Sequence, residues 1–237
     1  MSEPSRELLA SIPPLRRARV VRCLGGGRAS DSWLLHTGGR DLVLRIDRAL
    51  ARVLGLDREA EWAVLETAHQ ARLAPEPVWR DASRGLLLTA WLPGPTWRAA
   101  GLDDPSRLDV LAGLLRRVHA LPVDGSPSMP KFDPVASAQG YADAAGLGDD
   151  DPRLSTVRSL AADCFPPGLE CRLCHMDPHA GNVIGDLAEG MGDLRLIDSA
   201  RDMEGAGFLE KSGPENSSFP GPVHLAVWPL ERWFSGR

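Results

Sequence analysis

Short apolar segments alternate with glycine-rich breaks in the first part of the chain, a pattern typical of strands joined by turns. Three of these segments are predicted to be strands, over residues 18–24, 32–37 and 41–46. Three glycines at 25–27 separate the first pair, and two glycines at 38–39 mark a hairpin turn between the second pair. The pattern therefore predicts a small antiparallel sheet.

Apolar residues then recur at the three- and four-residue spacing of a helix. This spacing predicts a helix over residues 57–72 that crosses the sheet. An extended segment at 78–80 and the apolar run 86–88 follow. Pro93 and Gly94 end that run and begin a linker.

The second half of the chain has a more helical pattern. Apolar residues at helical spacing from 108 to 118 predict a helix that ends at Pro122. A loop or weak helix is predicted over 123–152, which is rich in Gly, Pro, Ser and Asp, and another helix is predicted around 154–164. The sequence thus favours an α+β fold.

Composition narrows the class of protein without naming a function. The 237 residues are 43% apolar and 25% charged, which is ordinary for a soluble globular protein. The net charge of −5 disfavours a nucleic-acid or membrane partner, and suits a cationic small molecule. The N-terminus lacks the pattern of a secretory signal, so a cytoplasmic location is expected.

The most informative segment runs from His175 to Asn182 and has the form H-x-D-x-x-x-x-N. Two short apolar segments follow it, the second ending at Ile197, and they are predicted to pair as a hairpin. Asn182 precedes the first segment and Asp198 follows the second, so a hairpin brings both residues to one end. Asp177 reaches the same end through the tight loop before Asn182.

These residues supply one carboxylate base and two oxygen ligands for a hard cation, which is the set that phosphoryl transfer requires. Asp177 is the candidate catalytic base that orients an acceptor hydroxyl. Asn182 and Asp198 are the candidate ligands of Mg²⁺. His175 is expected to belong to the catalytic loop and to support it by hydrogen bonding rather than by proton transfer.

His-x-Asp-x-His-x-Gly-Asn, followed by Ile-Asp, closely resembles the catalytic segment of aminoglycoside phosphotransferases, choline kinases and thiamine kinases. These enzymes are small-molecule relatives of the protein kinases, and the resemblance covers roughly residues 18–200. It implies a two-lobed, protein-kinase-like fold, with residues 1–92 as a nucleotide-binding lobe and 93–237 as a mostly helical catalytic and substrate lobe. It also implies transfer of the γ-phosphate of ATP, with Mg²⁺, to a hydroxyl of a small molecule.

The first lobe contains the segments that resemble the family's nucleotide site. The glycine hairpin resembles its nucleotide loop, where small residues let backbone amides approach phosphates. The residues expected to do so here are Gly25, Gly26, Gly27 and Ser30.

Further nucleotide contacts are implied on the third strand, the helix and the linker. Arg45 lies where the family carries its phosphate-binding base, and lysines occur only at 131 and 211, so a base in the first half must be an arginine. Glu59 matches the helix glutamate that pairs with this base, with Glu61 as the rival. The backbone at Ala90 and Leu92 lies in the segment that resembles the hinge, which would contact adenine.

The resemblance ends soon after Asp198. Relatives continue with a long helical region, whereas this chain has a Gly-, Pro- and Ser-rich run to Pro222. The second lobe is therefore predicted to be altered or truncated after about residue 200. Residues 204–237 are predicted to be an irregular tail, with one short amphipathic turn from Trp228 to Phe234.

Choline-, thiamine- and aminoglycoside-like acceptors all remain open, and Arg45 with residues 92–97 favours the choline or thiamine branch. One alternative is a relative that binds nucleotide but is catalytically impaired. Another is a zinc or haem protein, because Cys171-x-x-Cys174-His175 has the form of a haem attachment signal. The absence of an export signal and of a second ligand pair disfavours that alternative.

Overall fold

A computed structural model describes ten ranges of the chain: 2–26, 29–53, 58–97, 105–123, 133–164, 171–175, 178, 180–185, 195–196 and 225–229. Gly27, Asp177 and Asp198 lie outside the described residues. Along the described ranges, a five-stranded antiparallel sheet is followed by helices and two short strand pairs.

The first part of the chain forms the predicted sheet, extended to five strands in the order β1-β2-β3-β5-β4 with every neighbouring pair antiparallel. Its strands are β1 (Arg19–Gly26), β2 (Ser30–Thr37), β3 (Arg40–Asp47), β4 (Pro77–Asp81) and β5 (Leu86–Ala90). The three predicted strands and the two later extended segments are thus confirmed.

One face of this sheet is covered by the N-terminal segment. Helix α1 (Arg6–Ser11) begins at the N-cap Ser5, whose hydroxyl accepts from the Leu8 amide at 3.1 Å. Its Leu9, together with Ile12, packs against alternate residues of the strands, including Leu35 and Leu44. Because side chains alternate along a strand, the residues between them, Arg45 among these, face the other side.

A second hydrophobic core is built around α3 (Arg58–Gln70) and α4 (Pro105–His119); the short helix α2 (Ala49–Val53) lies between β3 and α3 along the chain. The buried residues of that core are Val64, Ala68, Leu73, Ala74, Trp97, Leu114, Val118, Leu121, Leu173, Val183 and Leu196. The helices predicted over 57–72 and 108–118 are confirmed, and α3 belongs as much to this core as to the sheet.

The remaining helices are α5 (Pro134–Ala144) and α6 (Pro152–Cys164). The Asp133 carboxylate accepts from the amides of Val135 and Ala136 at 2.8 and 3.0 Å, and Pro134 occupies the first turn. This start signal produces a regular helix within the segment predicted to be a loop or weak helix. Among the described helices, none is long and apolar enough to cross a membrane.

Four short strands complete the described structure: β6 (Cys171–His175), β7 (Val183–Ile184), β8 (Arg195–Leu196) and β9 (Leu225–Pro229). The predicted hairpin is confirmed, since β7 pairs antiparallel with β8. The prediction of an amphipathic turn at Trp228 is wrong, because this residue lies in β9, opposite Arg172 of β6. Residues 225–229 are extended because they pair with β6, which lies about fifty residues earlier in the chain.

Gly85, in the turn between β4 and β5, leaves no room for a larger residue. Its φ of +64° is in the left-handed region, and a Cβ there would lie 2.6 Å from the Asp47 Cβ. We expect Gly85→Ala to lower the free energy of unfolding by about 1–3 kcal/mol, combining left-handed strain with the displacement of Asp47. Urea denaturation measures this loss.

Gly140, inside α5, is the matched control. A Cβ at that position meets nothing within 4 Å. Gly140→Ala should therefore stabilise the protein by about 0.5–1 kcal/mol. Equal effects of the two substitutions would contradict the conformation assigned to Gly85.

Candidate nucleotide and phosphotransfer site

Arg45 lies in the middle of β3, in one row with a glycine of the predicted nucleotide loop. Across three strands, Gly25 pairs with Ser32 and Ser32 pairs with Arg45. Neighbouring strands are about 4.8 Å apart, so the Gly25 backbone lies about 10 Å from that of Arg45. The β2–β3 register is unbroken from Ser30 to Thr37, which fixes the side of the sheet on which Arg45 lies.

Arg45 is 9% exposed and donates to the Oε1 atom of Glu61, which is 7% exposed on α3. Arg58, one helical turn before Glu61, donates to its Oε2 atom. Arg58 also donates through Nε to both carboxylate oxygens of Asp47, at 3.1 Å each. We call these four residues, Arg45, Asp47, Arg58 and Glu61, the buried charge network.

The charges of this network compensate one another. Burial lowers the pKa of Arg45, against the opposing attraction of Glu61. Burial would also lower the pKa of Arg58, but Glu61 and Asp47 together outweigh it and the pKa is raised. Both guanidinium groups remain protonated, so two cations face two carboxylates in a region of low solvent access.

The pairing predicted for Glu59 is wrong, and its rival Glu61 is the partner of Arg45. Glu59 instead pairs with Arg80 of β4, with Nε and Oε2 at 2.8 Å, and its side chain is 56% exposed. Positions two apart on a helix differ by about 200° in direction, so only one of the two glutamates can face Arg45. Packing of Val64 and Ala68 into the second core turns Glu61 inward.

The hairpin of the predicted nucleotide loop is anchored at both ends. Gly25 and Gly26 end β1, and the Gly25 amide donates to the Cys23 sulfur at 3.3 Å. Ser30 begins β2. On the other side Arg48 donates from Nε to Asp31 at 3.1 Å.

The predicted hinge begins where β5 ends. The Ala90 amide donates to the Glu76 carbonyl at 2.8 Å, and the next amide, that of Trp91, donates to the Asp41 carbonyl at 3.0 Å. Leu92 follows and is half-buried. The guanidinium of Arg22 lies over the Trp91 ring, 5.9 Å from its centroid.

The linker after the hinge runs directly onto the hairpin that follows Asn182. The Trp97 amide donates to the Val183 carbonyl at 2.9 Å, and the Gly185 amide donates to the Pro95 carbonyl at 3.1 Å. Asn182 is 0% exposed and lies in a 3₁₀ turn immediately before β7. The structure therefore places this candidate metal ligand beside the chain segment that leaves the sheet.

His175 is buried at the end of β6, two residues before Asp177. Its place on a strand bears on the zinc and haem alternative, because Cys174 and His175 are neighbours on a strand and face opposite sides. Within the described ranges, no group of three or more His, Cys, Asp or Glu side chains is arranged to hold a metal ion. The strand geometry argues against a metal shared by Cys174 and His175.

The donor chemistry of the three candidate ligand residues fits a hard cation. Its amide oxygen and the carboxylates of Asp177 and Asp198 are oxygen ligands of the kind that Mg²⁺ takes in proteins. Of these three, the structure describes Asn182, which is held without solvent exposure. The set is consistent with Mg²⁺ and contains no soft ligand that would favour zinc.

Comparison with known families identifies the class of protein. The phosphotransferase enzyme family, abbreviated APH, matches residues 20–197, and the chain belongs to this family. No curated protein sequence matches the chain.

Solved structures similar to this one include small-molecule kinases. A choline kinase from Streptococcus pneumoniae is 19% identical, with a TM-score of 0.59 over 81% of this chain and 66% of its own; its AMP complex also matches, with a TM-score of 0.61. An ethanolamine kinase from Plasmodium vivax is 13% identical, with a TM-score of 0.58 over 77% of this chain and 55% of its own. An aminoglycoside phosphotransferase is 17% identical, with a TM-score of 0.53 over 76% of this chain and 66% of its own.

The fold is therefore the two-lobed, protein-kinase-like α+β fold that the sequence predicted. The chain spans 55% to 66% of the length of these three structures. The likeness to these structures is one of fold, and the substrates named for them belong to those proteins.

Proposed function

We propose that this chain is an ATP-dependent phosphotransferase that moves the γ-phosphate to a hydroxyl of a small molecule. The observation that carries the proposal is the buried Arg45–Glu61 pair, in one row with Gly25 of the glycine hairpin. Burying an arginine costs free energy unless its charge is compensated. Glu61, on a separate helix, compensates the charge of Arg45 on the sheet. A buried arginine compensated in this way fits a role in binding phosphate better than a role in packing the core.

Arg45 is suited to this role by the shape of its guanidinium. Five N–H donors in one plane let the group bind a carboxylate with one edge and phosphate oxygens with another. Gly25, Gly26, Gly27 and Ser30 are proposed to admit the phosphates under the hairpin, where main-chain amides favour anions. The main chain at Ala90 and Leu92 is proposed to contact the adenine.

The reacting groups are proposed to lie in the second lobe. Asp177 would accept a hydrogen bond from the acceptor hydroxyl and orient its oxygen toward the γ-phosphorus, taking the proton as transfer proceeds. His175 would hold the loop that carries Asp177. Asn182 and Asp198 would hold Mg²⁺, which when bound would neutralise charge on the phosphate oxygens.

The acceptor class is proposed from charge and from structural likeness. The net charge of −5 suits a cationic acceptor, and the similar structures include a choline kinase and an ethanolamine kinase. A positively charged amino alcohol of the choline type is therefore the first acceptor to test. Thiamine-like and aminoglycoside-like acceptors follow, and each also offers a hydroxyl and positive charge.

The proposal is tested by acceptor-dependent release of ADP from magnesium-ATP with choline, ethanolamine, thiamine and an aminoglycoside panel. Turnover with one acceptor establishes a kinase and identifies its class. ATP binding without turnover on any acceptor would favour the impaired, nucleotide-binding relative instead. Absence of both binding and turnover would contradict the proposed function.

A further inference from the structure

Arg58 is the most deeply buried charged residue that the structure describes, with 2% of its surface exposed. It is more buried than Arg45, the proposed phosphate-binding residue, yet the proposed mechanism gives it no part. A guanidinium with so little access to water is costly unless it is held by carboxylates. Its partners therefore indicate what it does.

Arg58 connects the two carboxylates of the buried charge network. It contacts Asp47 through Nε, at 3.1 Å to each oxygen, and through a terminal nitrogen, while the other terminal nitrogen donates to Glu61. Asp47 lies two residues after Arg45 on β3 and therefore on the same face of the sheet. The contacts therefore run in a chain, Arg45 to Glu61 to Arg58 to Asp47, in which arginines alternate with carboxylates and a strand residue stands at each end.

Arg58 controls how Glu61 meets Arg45. A carboxylate paired with one arginine alone can turn both oxygens toward it, which gives the strongest mutual neutralisation. Here Arg58 donates to the Oε2 atom of Glu61, and Arg45 donates to its Oε1 atom. The carboxylate is therefore fixed in direction, and part of its charge is balanced by Arg58 rather than by Arg45.

We infer that Arg58, held by Asp47, is a positioning residue that fixes Glu61 and through it sets the direction and effective charge of Arg45 toward phosphate. The inference rests on the proposed function, since it assigns a role within the same nucleotide site. Through Glu61 and Arg45, Arg58 would affect the binding of the nucleotide's phosphates but not the binding of its nucleoside. This distinction separates positioning from a general contribution to folding.

The Asp47 end of the network is held by the β4–β5 turn. The Asp47 amide donates to the Gly85 carbonyl at 2.9 Å, and a Cβ added at Gly85 would lie 2.8 Å from the Asp47 Oδ2 atom. Gly85→Ala is therefore expected to move the carboxylate that holds Arg58, and to weaken phosphate recognition through Arg58.

The test compares binding of magnesium-ATP and of adenosine by calorimetry in the whole chain and in its Arg58→Met and Arg58→Lys variants. We expect Arg58→Met to weaken ATP binding by about tenfold or more, because hydrogen bonds to charged groups contribute this much, and to leave adenosine binding unchanged. Arg58→Lys keeps the charge but not the planar fork, so an intermediate loss for ATP is expected.

Arg80→Met is the matched control. Like Arg58, Arg80 links a strand of the sheet to a glutamate of α3, but its partner is Glu59 at the surface. The ratio of ATP to adenosine affinity should be unchanged in this variant. A similar change of that ratio in the control would show that any arginine link to α3 has this effect, and would overturn the inference.

Failure of the inference and failure of the proposed function give different results. If the unmodified chain binds ATP and the Arg58 variants lose ATP and adenosine equally, or lose neither, Arg58 has no positioning role while the proposed function stands. If the unmodified chain binds no ATP, both proposals fall. Should Arg58→Met not fold, the Arg58→Lys ratio decides by the same criterion.

Discussion

Glu61→Gln is expected to lower the free energy of unfolding by about 3–5 kcal/mol and to remove most of the affinity for ATP. The substitution leaves Arg45 and Arg58 buried with one carboxylate in the network, that of Asp47, which contacts Arg58. Breaking a buried charge pair from one side has a cost of this size, because the remaining charge is neither hydrated nor compensated. Urea denaturation at neutral pH measures the first effect, and titration with ATP measures the second.

Glu59→Gln is the matched variant for this prediction, since it makes the same chemical change two residues earlier on the same helix. The Glu59–Arg80 pair lies at the surface, where an ion pair contributes about 0–1 kcal/mol. We expect stability to change by no more than that and ATP affinity to be unaffected. Similar losses in the two variants would contradict the assignment of Glu61, rather than Glu59, as the glutamate of α3 that matters for ATP binding.

The second large effect is expected at Asp177. Asp177→Asn keeps the size of the side chain but cannot take a proton from the acceptor, so turnover should fall by about 10²- to 10⁴-fold. Binding of ATP should persist, because Arg45 and the glycine hairpin are unchanged. Steady-state ADP release and equilibrium titration measure the two quantities separately.

Asp150→Asn, in the exposed loop between α5 and α6, provides the control for loss of a carboxylate elsewhere in the second lobe. Turnover in this variant should match that of the unmodified chain. If Asp177→Asn keeps turnover within about tenfold, general-base assistance contributes less than expected and the role assigned to Asp177 is wrong.

The elements that the sequence predicted correctly are those with a local signal. Alternation and glycine pairs marked the strands of the sheet, and helical spacing marked α3 and α4. The elements that it missed have weak local signals: α1 is six residues long, and β9 is a strand through its pairing with β6. A strand of that kind depends on a partner distant in the chain.

The candidate site divides in the same way. His175, Asn182 and the hairpin after Asn182 were recognisable because the motif is contiguous, and the structure shows Asn182 buried immediately before β7. The roles of Asp177 and Asp198 stay predictions. Arg58 and Asp47 were missed, since an arginine and an aspartate eleven residues apart are common in any sequence and signal no contact.

By itself, the sequence determined the class of fold, the strands of the sheet, the position of Arg45 on its third strand and the motif of the catalytic segment. These features depend on residues close together along the chain, where periodicity and turn chemistry act. Only the tertiary structure decided that Glu61 rather than Glu59 meets Arg45, and that Arg58, itself held by Asp47, contacts the same carboxylate. The rotation of α3 about its axis settles that choice, and it is set by the packing of Val64 and Ala68 against residues far away in the chain.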